Sequence, residues 1–398
     1  MTGLARCVCD VQGFLQGYWS RAPVHSEGMD PGGFGDLLSL DDVDRFVSSW
    51  SLRLPAFRLV RDGRPLDPSR YTRTARIGSQ SIAGVADPPR IFDELRGGAT
   101  IVFQALQRSW LPLTRFCRAL ELELSHSAQA NAYVTPAGSR GLGVHYDTHD
   151  VFVLQLAGTK QWSIYQPALE DPLPSQPWKG PAGAEVADPC LSVTLRAGDS
   201  LYVPRGFLHS ARAQEDLSAH LTIGVVTTTW YDVVRDLVSA TADDPSFRRP
   251  LPVGFASDEA ALALEVDQAV GRLRKWLDQV DAQAVAASTA GRFWDERPPI
   301  LAGQLHQIGL LDEIDDSSRL CPSEGSVCCL SLDGDTLAAR IGGRELHMPA
   351  ALEPTMRRIV TSGPFRLGDL AELIDGPSRL VLARRLVGEG LLQIVHVG

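Results

Sequence analysis

Over the first 230 residues apolar side chains come in short runs broken by Gly, Pro and Asp turns, a pattern of strands rather than helices. The plainest strands fall at 130–135, 150–156, 161–165, 192–195, 200–203 and 220–227. Short strands at this spacing predict a barrel or sandwich. Two helices accompany them: 40–50 opens on a Ser39 cap, and 113–122 carries apolar residues at helical spacing. From Trp230 the period changes. Leu262, Val266, Val270, Leu273, Leu277 and Val280 recur at steps of three and four, one face of an amphipathic helix capped by Ser257 and Asp258. Such a face ordinarily packs inside its own chain.

The Arg297-Pro298-Pro299 run reads as a linker into a third segment. There 355–362, 366–374 and 379–389 predict short helices and 391–397 a closing strand, the order of a winged-helix unit. The expected domains are therefore 1–230, β-rich with N-terminal helical elements; 231–299, helical; and 300–398, winged-helix-like. A DNA-reading winged helix needs a basic recognition helix. Arg379, Arg384 and Arg385 are offset by Asp369, Glu372, Asp375 and Glu389, which favours a structural or protein-docking role.

Charge sharpens this. With 38 Lys plus Arg against 48 Asp plus Glu, the net charge of −10 argues against coating DNA and suits a basic peptide or protein partner. No apolar run is long enough to span a membrane, and the first twenty residues lack the apolar centre of a secretory signal. The seven cysteines have no framework spacing. Cys7 with Cys9, and Cys328 with Cys329, lack the second pair or histidine that a structural zinc requires. The expectation is a cytoplasmic protein with reduced thiols.

The chemistry concentrates in Gly143-Val144-His145-Tyr146-Asp147-Thr148-His149-Asp150. On an extended chain His145 and Asp147 project to one face. A second cluster turns at Gly198-Asp199, runs through 200–203, turns again at Pro204–Gly206 and ends on a turn-positioned His209. A lone His-x-Asp pair arises often by chance; with this downstream cluster in a β-rich context it predicts a metal site. Two imidazoles and one carboxylate leave three adjacent positions open on an octahedral ion, the facial triad of non-haem Fe(II) oxygenases. His149 continues the alternation and is expected to line the pocket rather than to bind metal. His220, on one strand face with Ser218 and Thr222, approaches the barrel interior.

A facial-triad iron needs an electron source to use O2, most often 2-oxoglutarate, whose distal carboxylate needs a cation. Lys160 opens the strand that returns beside the metal strand. Solvation is the ordinary fate of a turn lysine, but its place suits that anchor. No phosphate-binding Gly-rich loop, Gly-x-Ser-x-Gly elbow or His-Glu-x-x-His motif is present.

Three segments carry a resemblance: Asn-Ala-Tyr-Val-Thr-Pro-Ala-Gly-Ser (131–139), His-Tyr-Asp-Thr-His-Asp-Val-Phe-Val-Leu-Gln (145–155) and Gly-Thr-Lys-Gln-Trp-Ser-Ile-Tyr (158–165). Together they resemble the JmjC/cupin-type ribosomal oxygenases, including bacterial cupin-4-like protein hydroxylases. The segments 14–23 and 248–255 look like landmarks of the same family. The resemblance implies an α+β chain: a double-stranded β-helix (cupin/JmjC) barrel, a helical dimerisation region and a C-terminal winged-helix-like domain. It implies an Fe(II)- and 2-oxoglutarate-dependent dioxygenase that uses O2 to hydroxylate a His or Arg side chain in a ribosomal protein or other peptide, acting as a homodimer. Carried over, it makes His145, Asp147 and His209 the metal ligands and Lys160 the partner of the distal carboxylate. Asn131, Tyr133 and Thr222 would line the cosubstrate pocket. One departure is Arg140, where eukaryotic members are expected to carry Gln; with His149 it is assigned to the substrate pocket. Two other readings compete: a non-catalytic cupin-type ligand sensor with a DNA-contacting winged helix, and a zinc or manganese cupin isomerase. The second leaves Lys160 and Asn131 without a role.

Overall fold

The computed structural model describes residues 3–49, 52–139, 141–180 and 186–395. Arg140, the end of the helix expected over 40–50 and the last residues of the strand expected over 391–397 lie outside the described residues. The chain forms two compact units, Met1–Thr227 and Thr228–Gly398.

Alternation builds the first unit. In the strand Ser127–Thr135, Ala128, Ala130, Ala132 and Val134 point into the main apolar core, while Gln129, Asn131, Tyr133 and Thr135 occupy the other face. Ser218–Val226 pairs with it antiparallel and repeats the pattern: Ala219, Leu221, Ile223 and Val225 enter that core, and Ser218, His220 and Thr222 turn the other way. Asp150–Ala157 joins on the far side, sending Phe152 and Leu154 to the main core, and Val151 and Val153 to a second cluster. These strands lie in an eight-stranded sheet ordered Val24–Ser26, Ser200–Val203, Asp150–Ala157, Ser218–Val226, Ser127–Thr135, Thr100–Phe103, Phe57–Arg61, Arg64–Pro65.

A three-stranded antiparallel sheet, Leu191–Leu195, Lys160–Pro167 and Phe207–Ala213, contributes to the second cluster. That cluster joins Val151, Val153, Leu201 and Val203 of the large sheet to Trp162, Ile164 and Leu195 of the small one. The two sheets therefore enclose a barrel interior that is apolar at one end and polar at the other. Helices cover the outer face. Val11–Gly17 sets Phe14 edge-on against Tyr202 at 4.8 Å, and Leu40–Ser48 starts from a Ser39–Asp42 capping box. The helix expected over 113–122 runs Leu111–Leu124.

Each strand expected over the first 230 residues is present, its bounds unchanged or shifted by up to three residues. His209 differs. It lies within the strand Phe207–Ala213, not on a turn, because the chain pairs with Lys160–Pro167 directly after Gly206 through a register shift between Phe207 and His209.

The second unit begins with the helices Trp230–Ala240, Glu259–Leu277 and Ala282–Asp295. Asp258 caps the second by accepting from the Ala261 N–H. The expectation that its apolar face packs within the chain holds only in part: Leu262, Leu273 and Val280 are half-buried, while Val266, Val270 and Leu277 of the same face stand exposed. Residues from Ile314 to Leu392 form a separate core. Helices occur at Glu353–Thr361 and Gly376–Gly388, with a strand at Leu392–Ile394. The helix expected over 366–374 is instead a strand residue pair followed by the 3-10 turn Leu367–Leu370, whose buried Leu367 and Leu370 match the three-residue period of that turn. A sheet over Cys329–Pro349 was not foreseen. Among the described residues no helix is long and apolar enough to cross a membrane.

Candidate metal centre

His145 and His209 meet across an antiparallel bridge in which each backbone N–H donates to the other's carbonyl, at 3.2 and 2.8 Å. This ties the loop carrying the His-x-Asp pair to the Phe207–Ala213 strand. The two rings stand 4.4 Å apart between centroids. The Asp147 carboxylate lies between them, with Oδ1 4.0 Å from His145 Nε2 and Oδ2 3.7 Å from His209 Nε2. One donor atom from each residue falls within 4.8 Å of the others, the one such cluster among the described residues.

The imidazoles are oriented from behind. His145 Nδ1 lies 2.8 Å from the Gly143 carbonyl, and His209 Nδ1 lies 3.0 Å from that of Phe207. A carbonyl can only accept, so each Nδ1 carries the proton and each Nε2 presents a lone pair to the centre. Burial and the neighbouring His145 push His209 down to about 4, which keeps that lone pair free at neutral pH. Burial raises Asp147, but the charges of His209, His149, His145 and Arg58 outweigh it and hold the carboxyl below its ordinary value. The donor set, one carboxylate and two aligned imidazoles on a single side, fits a divalent ion with open positions opposite.

Beside the triad lies a cavity lined by Tyr133, Lys160, Trp162, Val203, His220 and Thr222 among others. Lys160 is 2 % exposed, and its Nζ donates to Thr135 Oγ1 at 3.2 Å, which is within 3.1 Å of Thr100 Oγ1. Among the described residues no carboxylate pairs with it, and burial pushes its ammonium down to about 7. Asn131 lies on the same sheet face opposite Thr222, but its Oδ1 accepts from the Ala105 N–H at 2.9 Å, so its carbonyl holds the chain. His149 packs over Gly224, where a β-carbon would come within 2.6 Å of the ring; it faces Asp147 electrostatically and does not line the cavity. Trp162 and Arg58 were missed. Trp162 alternates with Lys160 on its strand, a signal readable from the sequence. Arg58 sits in register with Val102, which pairs with Tyr133, and that pairing is not visible in the chain order.

Fold and triad define a cupin-type barrel with a His-x-Asp…His metal-binding centre. Residues 105–233 match the JmjC domain family. Beyond that domain the chain is similar to proteins named ribosomal oxygenases. It is 30% identical to ribosomal oxygenase 1 of Gallus gallus over 315 residues, which is 75% of this chain and 51% of the relative. It is 39% identical to ribosomal oxygenase 2 of Bos taurus over 286 residues, 70% of this chain and 55% of the relative. The chain thus spans about half the length of these relatives. The Escherichia coli ribosomal oxygenase YcfD, solved with cobalt and 2-oxoglutarate, shares the fold at a TM-score of 0.55 and 18% identity, over 98% of this chain and 99% of that one.

Proposed function

We propose that this chain is an Fe(II)- and 2-oxoglutarate-dependent dioxygenase that hydroxylates a His or Arg side chain in a ribosomal protein or similar basic peptide in the cytoplasm. The observation that carries the proposal is a buried lysine with no carboxylate partner among the described residues, opening on the same cavity as a His-Asp-His triad. The likeness to ribosomal oxygenases supports it. His145, Asp147 and His209 would hold the metal, and Lys160 would receive the distal carboxylate, with Tyr133 and Thr222 beside it. When bound, iron, 2-oxoglutarate and O2 supply the oxidising power that puts one oxygen atom into a C–H bond. The chain's own part is to aim Nε2 of both histidines at the centre, to present a cation in a dry site, and to shield the cavity with Val151, Val153 and Trp162. On the resemblance alone Arg140 stays assigned to the substrate side; His149, which packs over Gly224 and not on the cavity, does not. The test is incubation with ribosomal-protein digests. The expected product is heavier by one oxygen on a His or Arg, and depends on 2-oxoglutarate; an unmodified digest alongside measured 2-oxoglutarate turnover would contradict this substrate class.

The regulator reading finds little support in the C-terminal helix Gly376–Gly388. Arg379 is 6 % exposed and forks onto Asp316 at 2.7 and 2.9 Å. Arg384 donates to the Leu311 and Asp312 carbonyls, and Arg385 pairs with Glu389. Cations engaged in this way are poorly placed to meet phosphates. We read 300–398 as a winged-helix-like docking element and 231–299 as a dimerisation region. What supports the latter is the helix Glu259–Leu277, on whose apolar face Val266, Val270 and Leu277 stand exposed. Covering each such side chain is worth roughly 1.5–3 kcal/mol. Light scattering should give twice 43.2 kDa for the wild type and a monomer for Val266→Asp/Val270→Asp. A wild-type monomer would remove the dimer from the account.

A further inference from the structure

Among the described residues His220 is the one imidazole lining the cavity that takes no part in the triad. It is 3 % exposed, and its Nδ1 is buried with no partner. The ring is held on two sides. Tyr133, its register partner on the neighbouring strand, stacks on it at 4.9 Å with an interplanar angle of 6°, and Trp162 meets it edge-on at 5.5 Å. So fixed, the ring cannot rotate away to find water or a carbonyl. A proton on Nδ1 would be an orphan donor, the rarer kind of unsatisfied group, so the favoured tautomer carries the proton on Nε2. Burial, and after it the positive charge of Lys160, holds the ring well below its ordinary value.

Resting on the reading above, we propose that His220 is a positioning residue for the cosubstrate: its neutral imidazole donates from Nε2 to the distal carboxylate that Lys160 binds. Lysine supplies a charge on a flexible stem, and one charge fixes neither the plane nor the distance of a carboxylate. A second donor, locked between Tyr133 and Trp162, fixes both. The pair thereby selects a 2-oxo diacid of one chain length over shorter or longer acids that chelate the same metal. Lys160 is left free to do this, because Thr135 occupies only one of its three N–H groups.

The experiment is anaerobic titration calorimetry on the Mn(II)-loaded chain, with 2-oxoglutarate and with oxalate, which chelates metal and has no distal carboxylate. His220→Leu keeps approximate volume without a donor; His220→Gln restores an N–H near the position of Nε2. The expected result is a loss of about 10- to 100-fold in 2-oxoglutarate affinity for His220→Leu, recovery to within about threefold for His220→Gln, and unchanged Mn(II) and oxalate affinity in both. Wild-type 2-oxoglutarate affinity in His220→Leu would overturn the proposal. So would an equal loss for oxalate, or a His220→Gln variant as weak as His220→Leu, since each marks a packing role. A wild type that binds Mn(II) and oxalate but no 2-oxoglutarate would instead overturn the functional reading on which this one rests.

Discussion

Lys160→Met yields a protein that is more stable than the wild type at pH 6 and that no longer binds 2-oxoglutarate. The ammonium is buried, it donates to Thr135, and burial moves it from 10.5 to about 7. The folded-state value lies below the unfolded one, so between pH 7 and 10.5 the folded chain holds fewer protons and stability rises with pH. Below pH 7 the whole cost is present. A shift of this size corresponds to about 5 kcal/mol, and methionine removes the charge while keeping the volume. Denaturant unfolding without ligand should show the gain at pH 6 and little difference near pH 10. Affinity for 2-oxoglutarate should fall at least about 100-fold, as expected for a buried, charge-assisted pair. In the wild type the same affinity should weaken as pH rises above 7, with proton uptake on binding, because only the charged lysine pairs with the carboxylate. A variant equally stable at pH 6 would mean that Lys160 is not desolvated as described.

Asp147→Ala removes the carboxylate between two imidazoles that are each aligned by a backbone carbonyl. Metal affinity should fall by at least about 100-fold and 2-oxoglutarate turnover should vanish, as for loss of a ligand from a three-ligand site. Folding should survive, since the two histidines stay bridged through their backbones. Equilibrium dialysis with Mn(II), together with a succinate assay, checks both parts. Turnover at the wild-type rate would exclude the triad as the reactive centre.

The barrel was legible because strands leave a period of two, and the ligands because His145 and Asp147 are two residues apart. The strand carrying His209 was not, because its pairing begins at an irregularity in register directly after Gly206. The polar residues of Ser127–Thr135 could equally have faced water; only the sheet pairings put Tyr133 beside His220 and Asn131 beside Thr222. The sheet over Cys329–Pro349 had a readable signal. Gly342-Gly343 joins Ile341 to Arg344 with both glycines at positive φ, a two-residue hairpin turn. The exposed face of Glu259–Leu277 was legible as amphipathic, but periodicity says nothing of whether the covering surface belongs to the same chain.

The most direct test is anaerobic addition of Fe(II) and 2-oxoglutarate to the purified chain, watched for the visible metal-to-ligand charge-transfer band of the chelate. The band should form with the wild type and be absent from His209→Ala and, at equal ligand concentration, from Lys160→Met. A wild type that holds iron but gives no band with 2-oxoglutarate would contradict the account at its centre.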